Sequence, residues 1–115
     1  MKISEIVDLL QANIHYIPPD LQDADLTTAT ACDLMSDILA SHHPPDILVT
    51  SLNNAQAIRT CSVFGIKMIV VARGRQVENK LLELAKEEGI ALISTKDSLF
   101  IVSGKLYAKG IVDVM

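Results

Sequence analysis

Apolar, β-branched runs alternate with helix-patterned segments four times along the chain, and this rhythm limits the fold more than any other feature. Leu26–Cys32, rich in Thr, leads to a helical pattern capped by Asp33 and carrying Leu34, Met35, Ile38 and Leu39, which stops before Pro44-Pro45. Ile47-Leu48-Val49-Thr50 leads to a helix over Asn53–Phe64 closed by Gly65, and Lys67–Ala72 to one over Val77–Glu88 with Gly89 behind it. Ile90–Ser94 leads to a last helix, capped by Asp97, which Gly104 is expected to interrupt and Gly110 to end. Such alternation predicts a parallel sheet with helices on its faces. Met68-Ile69-Val70-Val71, apolar at every position, reads as a strand buried on both sides. Ahead of the repeat, Ser4 as N-cap and Ile6, Val7, Leu9 and Leu10 predict an amphipathic helix over about residues 4–13, with Pro18-Pro19-Asp20 starting a connection. The expected architecture is α/β. A small, mostly parallel sheet of four strands is flanked by helices, with the terminal Ile111–Met115 as a candidate fifth strand or subunit contact. Residues 1–115 read as a single domain, a length within the usual range for one.

Composition narrows the partners. Half the residues are hydrophobic, which excludes a disordered chain, yet the longest apolar run, around Lys67–Ala72, is strand-sized and far short of a membrane span. The opening Met1-Lys2-Ile3-Ser4-Glu5 lacks the basic-then-apolar order of a signal peptide, so the expected location is cytoplasmic. Ten Lys and Arg against fourteen Asp and Glu give a net charge of −4, which argues against nucleic acid as a partner. With no Trp, two Tyr and two Phe there is little to stack on unpaired bases. Cys32 and Cys61 lie in apolar stretches and read as small buried hydrophobes rather than a redox or zinc pair.

Polar residues collect where strands end. Ser51-Leu52-Asn53-Asn54, Arg73-Gly74-Arg75-Gln76 and Thr95-Lys96-Asp97-Ser98 each follow a strand and precede a helix. In a parallel sheet these segments share the carboxyl edge, where open α/β sheets bind ligands. Helix N-termini there favour anions, and Arg73, Arg75 and Lys96 add positive charge. Thr50, Ser51, Asn53, Thr95 and Ser98 are candidate neutral donors, and Gly74 would let a ligand approach the backbone. Asn54 and Arg59, one helical turn further on, complete the candidate ligand-binding set. The same residue types also cap helices when no ligand is present.

No catalytic pattern emerges. The phosphate-loop, dinucleotide and nucleophile-elbow signatures are absent. His42 and His43 are adjacent, diverge in extended backbone and lack metal-ligating neighbours, so no metal and no cofactor is expected. His15, in a segment with Tyr16 and Pro18, reads as a loop residue with no assignable nucleophile. The acids and lysines of Glu78–Glu88 space as a solvated helix face.

Several stretches resemble the DRTGG domain, a small α/β module similar in fold to the N-terminal domain of bacterial HPr kinase. The resemblance runs from the opening helix through Ala29–Met35, Asp46–Thr50, Arg59, the strand ending at Ala72, and Leu84–Ile90. Thr50–Thr60, Arg73-Gly74-Arg75, Ser94-Thr95 and Gly104-Lys105-Leu106-Tyr107 look like segments of stand-alone members. The Asp-Arg-Thr-Gly-Gly pattern itself is not present; Ala72-Arg73-Gly74-Arg75 stands where the family has Thr-Gly-Gly, and Asn54 lies near its Asp-Arg position. The resemblance implies a regulatory or assembly role, commonly as a homodimer, without established catalysis. Some stand-alone members are encoded beside iron-only hydrogenase subunits, which implies a hydrogenase-complex subunit as a partner. Three functions follow: a non-catalytic module sensing a small phosphorylated or nucleotide-like anion, a protein-assembly module using the same loops, and a phosphotransferase. The first fits the cationic edge best. The last lacks the metal-holding carboxylates that phosphoryl transfer needs beside a phosphate cradle.

Overall fold

Alternation of strand and helix is realised, and the chain builds more sheet than its apolar runs announce. The computed structural model describes residues 1–114. In chain order these form α1 (Ile3–Leu10), β1 (Asn13–Tyr16), a 3-10 turn (Pro19–Leu21), β2 (Thr28–Ala31), α2 (Met35–Leu39) and β3 (Ile47–Thr50). They continue as α3 (Ala55–Phe64), β4 (Met68–Val71), α4 (Asn79–Glu88), β5 (Ala91–Ser94), α5 (Leu99–Ala108) and β6 (Val112–Asp113). One six-stranded sheet has the order β1-β5-β4-β3-β2-β6. All pairings are parallel except that of β1 with β5. No described helix is long and apolar enough to cross a membrane.

Strands β3, β4 and β5 are buried at every position, as their apolar runs require, with Thr50 and Ser94 as the buried polar ends of β3 and β5. Their alternating side chains feed two cores. Ile47, Val49, Met68, Val70 and Ile93 face α1 and α5, packing with Ile3, Ile6, Val102 and Leu106. Leu48, Ile69, Val71 and Leu92 face the opposite layer, against Ile38, Ile58, Cys61, Leu81 and Ala85 of α2, α3 and α4. Each such buried side chain is worth roughly 1.5–3 kcal/mol, so the central strands form a rigid platform whose carboxyl ends are fixed in register.

The expectation of four or five strands is corrected to six. Both additions lie at sheet edges. In β1 only Ile14 is strongly apolar, and it is 55% exposed, while β6 is two exposed residues long. Edge strands bury too little to show an apolar run. The terminal segment does supply an edge strand through Val112–Asp113; Met115 lies outside the described residues. The first helix is shorter than expected, because Gln11 turns left-handed at φ 49° and Asn13 begins β1. Its first turn is closed not by Ser4 but by Glu5, whose carboxylate accepts the Lys2 N–H at 3.0 Å.

At the last helix, Ser98 rather than Asp97 is the cap. Its Oγ accepts the Ile101 N–H at 3.2 Å, while the Asp97 carboxylate takes Lys105 Nζ at 2.8 Å. Gly104 does not interrupt α5, which runs unbroken from Leu99 to Ala108. Replacing Ser98 by Ala should lower stability by about 1 kcal/mol, the usual value of an N-cap. A fall in Tm of about 4 °C in thermal denaturation checks it. Cys61 is fully buried and Cys32 half-buried, both as free thiols, and burial pushes the Cys61 thiol up to about 12.

Candidate functional site

The carboxyl ends of β2, β3, β4 and β5 meet along one rim, and the loops that follow them are tied to one another. Asp33, just beyond β2, is the first knot. Its Oδ1 accepts the Thr50 hydroxyl at 2.9 Å and the Ser51 N–H at 2.7 Å, and its Oδ2 accepts the Ser51 hydroxyl at 2.6 Å. Asp33 therefore does not cap α2, whose N-cap position is Leu34. Partial burial alone would raise the Asp33 carboxyl. The hydrogen bonds from Ser51 and Thr50, with the nearby Arg73 charge, outweigh it and hold the group below the ordinary aspartate range. No periodicity marks this residue; the one clue in the sequence is an Asp directly after a Thr-rich strand.

A second knot joins the loops after β4 and β5. The Arg73 N–H donates to the Asp97 carbonyl at 2.7 Å and the Gly74 N–H to the Thr95 carbonyl at 3.0 Å. These two residues adopt φ 65° and 67° in succession, and the Arg75 N–H closes the turn on the Ala72 carbonyl at 3.4 Å. Left-handed backbone is free for Gly74 but costs an arginine roughly 1–2 kcal/mol. A third tie runs from Asn53 Nδ2 to the Gln76 carbonyl at 2.9 Å, linking the loops after β3 and β4.

These ties divide the candidate residues by what their polar atoms already do. Thr50 and Thr95 are buried beneath the rim. The Thr50 hydroxyl donates to Asp33 and accepts the Leu52 N–H; that of Thr95 donates to the Leu10 carbonyl and accepts the Asp97 N–H. Both fix loop geometry from below. Asn54 Oδ1 caps α3 by accepting the Ala57 N–H at 3.1 Å, and Ser98 caps α5. Of the four helices that follow the rim strands, α2, with Leu34 at its N-cap, and α4, with Glu78, have no side-chain cap. Arg73, Arg75 and Lys96 are exposed, and among the described residues none has a carboxylate within 4.0 Å. Arg59 is exposed on the second turn of α3 and, among the described residues, forms no ion pair. With the amides of Arg73 and Gly74 already engaged, cationic side chains are the rim's main offering to a ligand.

On the α1 side the rim is concave. A polar groove of about 450 Å³ is lined by Gln11, Asn13, Thr95, Lys96, Asp97 and Lys105, with Leu9 and Leu10 at its wall. The sequence does not point to Gln11, Asn13 or Lys105, because the end of α1, the start of β1 and the second turn of α5 reach this edge only through tertiary packing. Further along the sheet, His15 lies half-buried on β1, not in a loop, with its Nε2 2.7 Å from Ser94 Oγ. Burial holds its imidazole below the ordinary histidine range. No other hydrogen bond orients the His15 ring among the described residues, so the pair lacks the third member that a nucleophile–base array needs. Nor do three or more His, Cys, Asp or Glu side chains gather to hold a metal among the described residues.

No family model and no curated protein matches the sequence. The structure is similar to that of the CBS and DRTGG domains of the regulatory region of Clostridium perfringens pyrophosphatase, solved with its activator diadenosine tetraphosphate. The TM-score is 0.74 at 18% sequence identity, over 91% of this chain but only 45% of that one, so the chain spans less than half of the region that was solved with the activator. At that identity the likeness speaks to architecture. The fold is α/β, a six-stranded and mostly parallel sheet flanked by helices, similar to a DRTGG domain.

Proposed function

We propose that this chain is a single-domain, non-catalytic regulatory module that binds a small phosphate- or nucleotide-like anion at the carboxyl edge of its sheet, as a homodimer. The observation that carries the reading is the company Arg73 keeps. Its backbone is tied to the loop after β5, its charge acts on Asp33 at the end of β2, and Arg75 and Lys96 flank it without acidic partners of their own. Unpaired cations gathered on one edge of a chain with net charge −4 create a local field opposite to the whole. Arg73 and Arg75 supply forked donors matched to phosphate oxygens, and Lys96 supplies a point charge. Asn53, Asn54 and Ser98, on the loops of the same edge, would add lesser contacts, and the uncapped start of α4 adds its dipole. Regulation by a nucleotide in the structurally similar pyrophosphatase region supports the choice of ligand class.

Thermal shift and titration calorimetry with inorganic phosphate, acetyl phosphate, ADP and diadenosine tetraphosphate test the reading. A ligand at 100 times its Kd adds about 2.7 kcal/mol of stability, an upward Tm shift that no scan would miss. Arg75→Ala should weaken the binding about tenfold, as loss of one charged hydrogen-bond donor does, while Lys86→Ala on α4 leaves it unchanged. A flat response to all of these anions would favour the assembly reading instead. The rim would then contact a protein partner, of the hydrogenase-subunit kind that the family resemblance implies.

A further inference from the structure

The homodimer in the proposed function has no assigned surface, and the contrast between α4 and α5 supplies one. Helix α4 turns charged side chains to solvent, with Lys80, Glu83, Lys86, Glu87 and Glu88 all exposed. Helix α5 buries only Val102 and Leu106, yet its sequence Leu-Phe-Ile-Val-Ser-Gly-Lys-Leu-Tyr-Ala has one charge in ten residues. A helix apolar around its circumference belongs in a core or an interface, not facing water. Phe100 is 83% exposed, Tyr107 74% and neighbouring Val112 51%. Four of the eight large hydrophobic side chains exposed among the described residues fall on α5 and β6.

Beside them lies a hole. A cleft of about 370 Å³ opens between α5 and the edge formed by β2 and β6, walled by Ala29, Val49 and Leu106, lined on the helix side by Gly104 and flanked by the chain's own Phe100 and Tyr107. Above Gly104 nothing lies within 4 Å of where a Cβ would stand. The polar groups at its wall are satisfied internally: Ser103 Oγ donates to the Leu99 carbonyl at 2.7 Å, and Thr30 Oγ1 to Asp113 at 3.3 Å. An apolar cavity of about 150 Å³ holds a benzene ring, so this cleft has room for one aromatic side chain and part of another.

We propose that a second copy of this chain covers the face, with each Phe100 ring seated in its partner's cleft over Gly104, around a two-fold axis beside α5 and β6. This rests on the dimer in the proposed function and names the residues that make it. Knob and hole on one face are what an isologous contact needs, because one rotation satisfies both copies. Area supports the choice. Covering Phe100 and Tyr107 would remove about 300 Å² per copy, and a stable interface takes about 800 Å² per partner, so the two rings are its centre and the rest of α5 and β6 its surround. Aromatic-rich, charge-poor patches of this kind form interface cores. Arg75, on the loop after β4, is not among the residues that line this cleft, so a change there separates anion binding from self-association.

Sedimentation velocity of the full chain between 1 and 200 µM, with Phe100→Glu, Tyr107→Glu and Arg75→Glu beside it, decides the matter. The expected result is a species of twice the chain's mass for the parent and Arg75→Glu, with the dimer dissociation constant raised at least 100-fold in Phe100→Glu and Tyr107→Glu. Both positions are exposed, so far-UV circular dichroism and Tm report whether each variant folds. Gly104→Trp, which fills the cleft from within, should dissociate the dimer without adding charge. A dimer that persists in all three face variants overturns this assignment while leaving the homodimer standing. A parent that is monomeric at 200 µM overturns both. Anion binding is read separately and is untouched by either outcome.

Discussion

Asp33→Ala is expected to unfold about 2 kcal/mol more readily than the parent chain, far more than an exposed loop carboxylate usually costs. The reason lies in what the carboxylate holds. Removing it releases the Ser51 hydroxyl and N–H into water, where they find new partners, but the Thr50 hydroxyl is fully buried and loses its acceptor. A buried donor without an acceptor costs about 1–3 kcal/mol, and the exposed charged hydrogen bonds add a smaller, solvent-discounted share. Urea denaturation of parent and variant measures the difference directly. Asp37→Ala, four residues along and exposed on α2, should stay within about 0.5 kcal/mol.

The same knot fixes a pH dependence. Because the Asp33 carboxyl is held below its ordinary range in the folded chain, the unfolded chain takes up its proton first as acid is added. The stabilisation is therefore complete above the ordinary aspartate range and is lost as pH falls through the depressed native value. The gap between parent and Asp33→Asn should be widest near neutrality and close in acid. Asp33→Asn also removes a negative charge that interacts with Arg73 while keeping the side chain's shape. Phosphate should then bind a few-fold more tightly, by the loss of a competing carboxylate. A gap that stays constant from neutral pH to acid would show that Asp33 does not carry the linkage.

What could be read from residues, and what could not, divides along a physical line. Met68–Val71 and Gly65, Gly89 and Gly110 betray strand and helix ends because both-sided burial and left-handed turns demand particular side chains. Asn13–Tyr16 escaped because an antiparallel edge strand satisfies half its backbone with solvent and needs no apolar run. The rim shows the same division. Loops after parallel strands must share an edge, so the meeting of residues 51, 73 and 95 follows from topology alone. Which atoms stay free does not follow. Ser98, Asn54 and Thr95 carry the side chains of ligand donors, yet the fold spends their acceptors on helix starts and a buried turn. Asp33, which knots the rim, looked like a helix cap because an Asp ahead of a helical pattern nearly always is one.

Arg73→Gly separates folding from binding more sharply than any other change at the rim. At φ 65° an arginine sits where glycine is at ease, so the substitution relieves roughly 1–2 kcal/mol of backbone strain. Against this stand the greater freedom of glycine in the unfolded chain and the loss of the exposed, longer-range attraction between Arg73 and Asp33, each worth under about 1 kcal/mol. The variant should therefore be as stable as the parent or up to about 1 kcal/mol more so, because the Arg73 N–H bond to Asp97 survives without the side chain. Binding should move the other way. Losing a forked, charge-assisted contact to phosphate costs about 1.5–3 kcal/mol, a 10- to 100-fold rise in Kd. A chain that gains stability and loses its anion together marks residue 73 as one held in strain for the sake of a ligand, which is where such backbone tends to cluster. Urea curves and phosphate titration on the same preparation read both quantities. Lower stability with unchanged affinity would mean that Arg73 serves the loop through Asp33, and that the cationic edge binds through Arg75 and Lys96 or not at all.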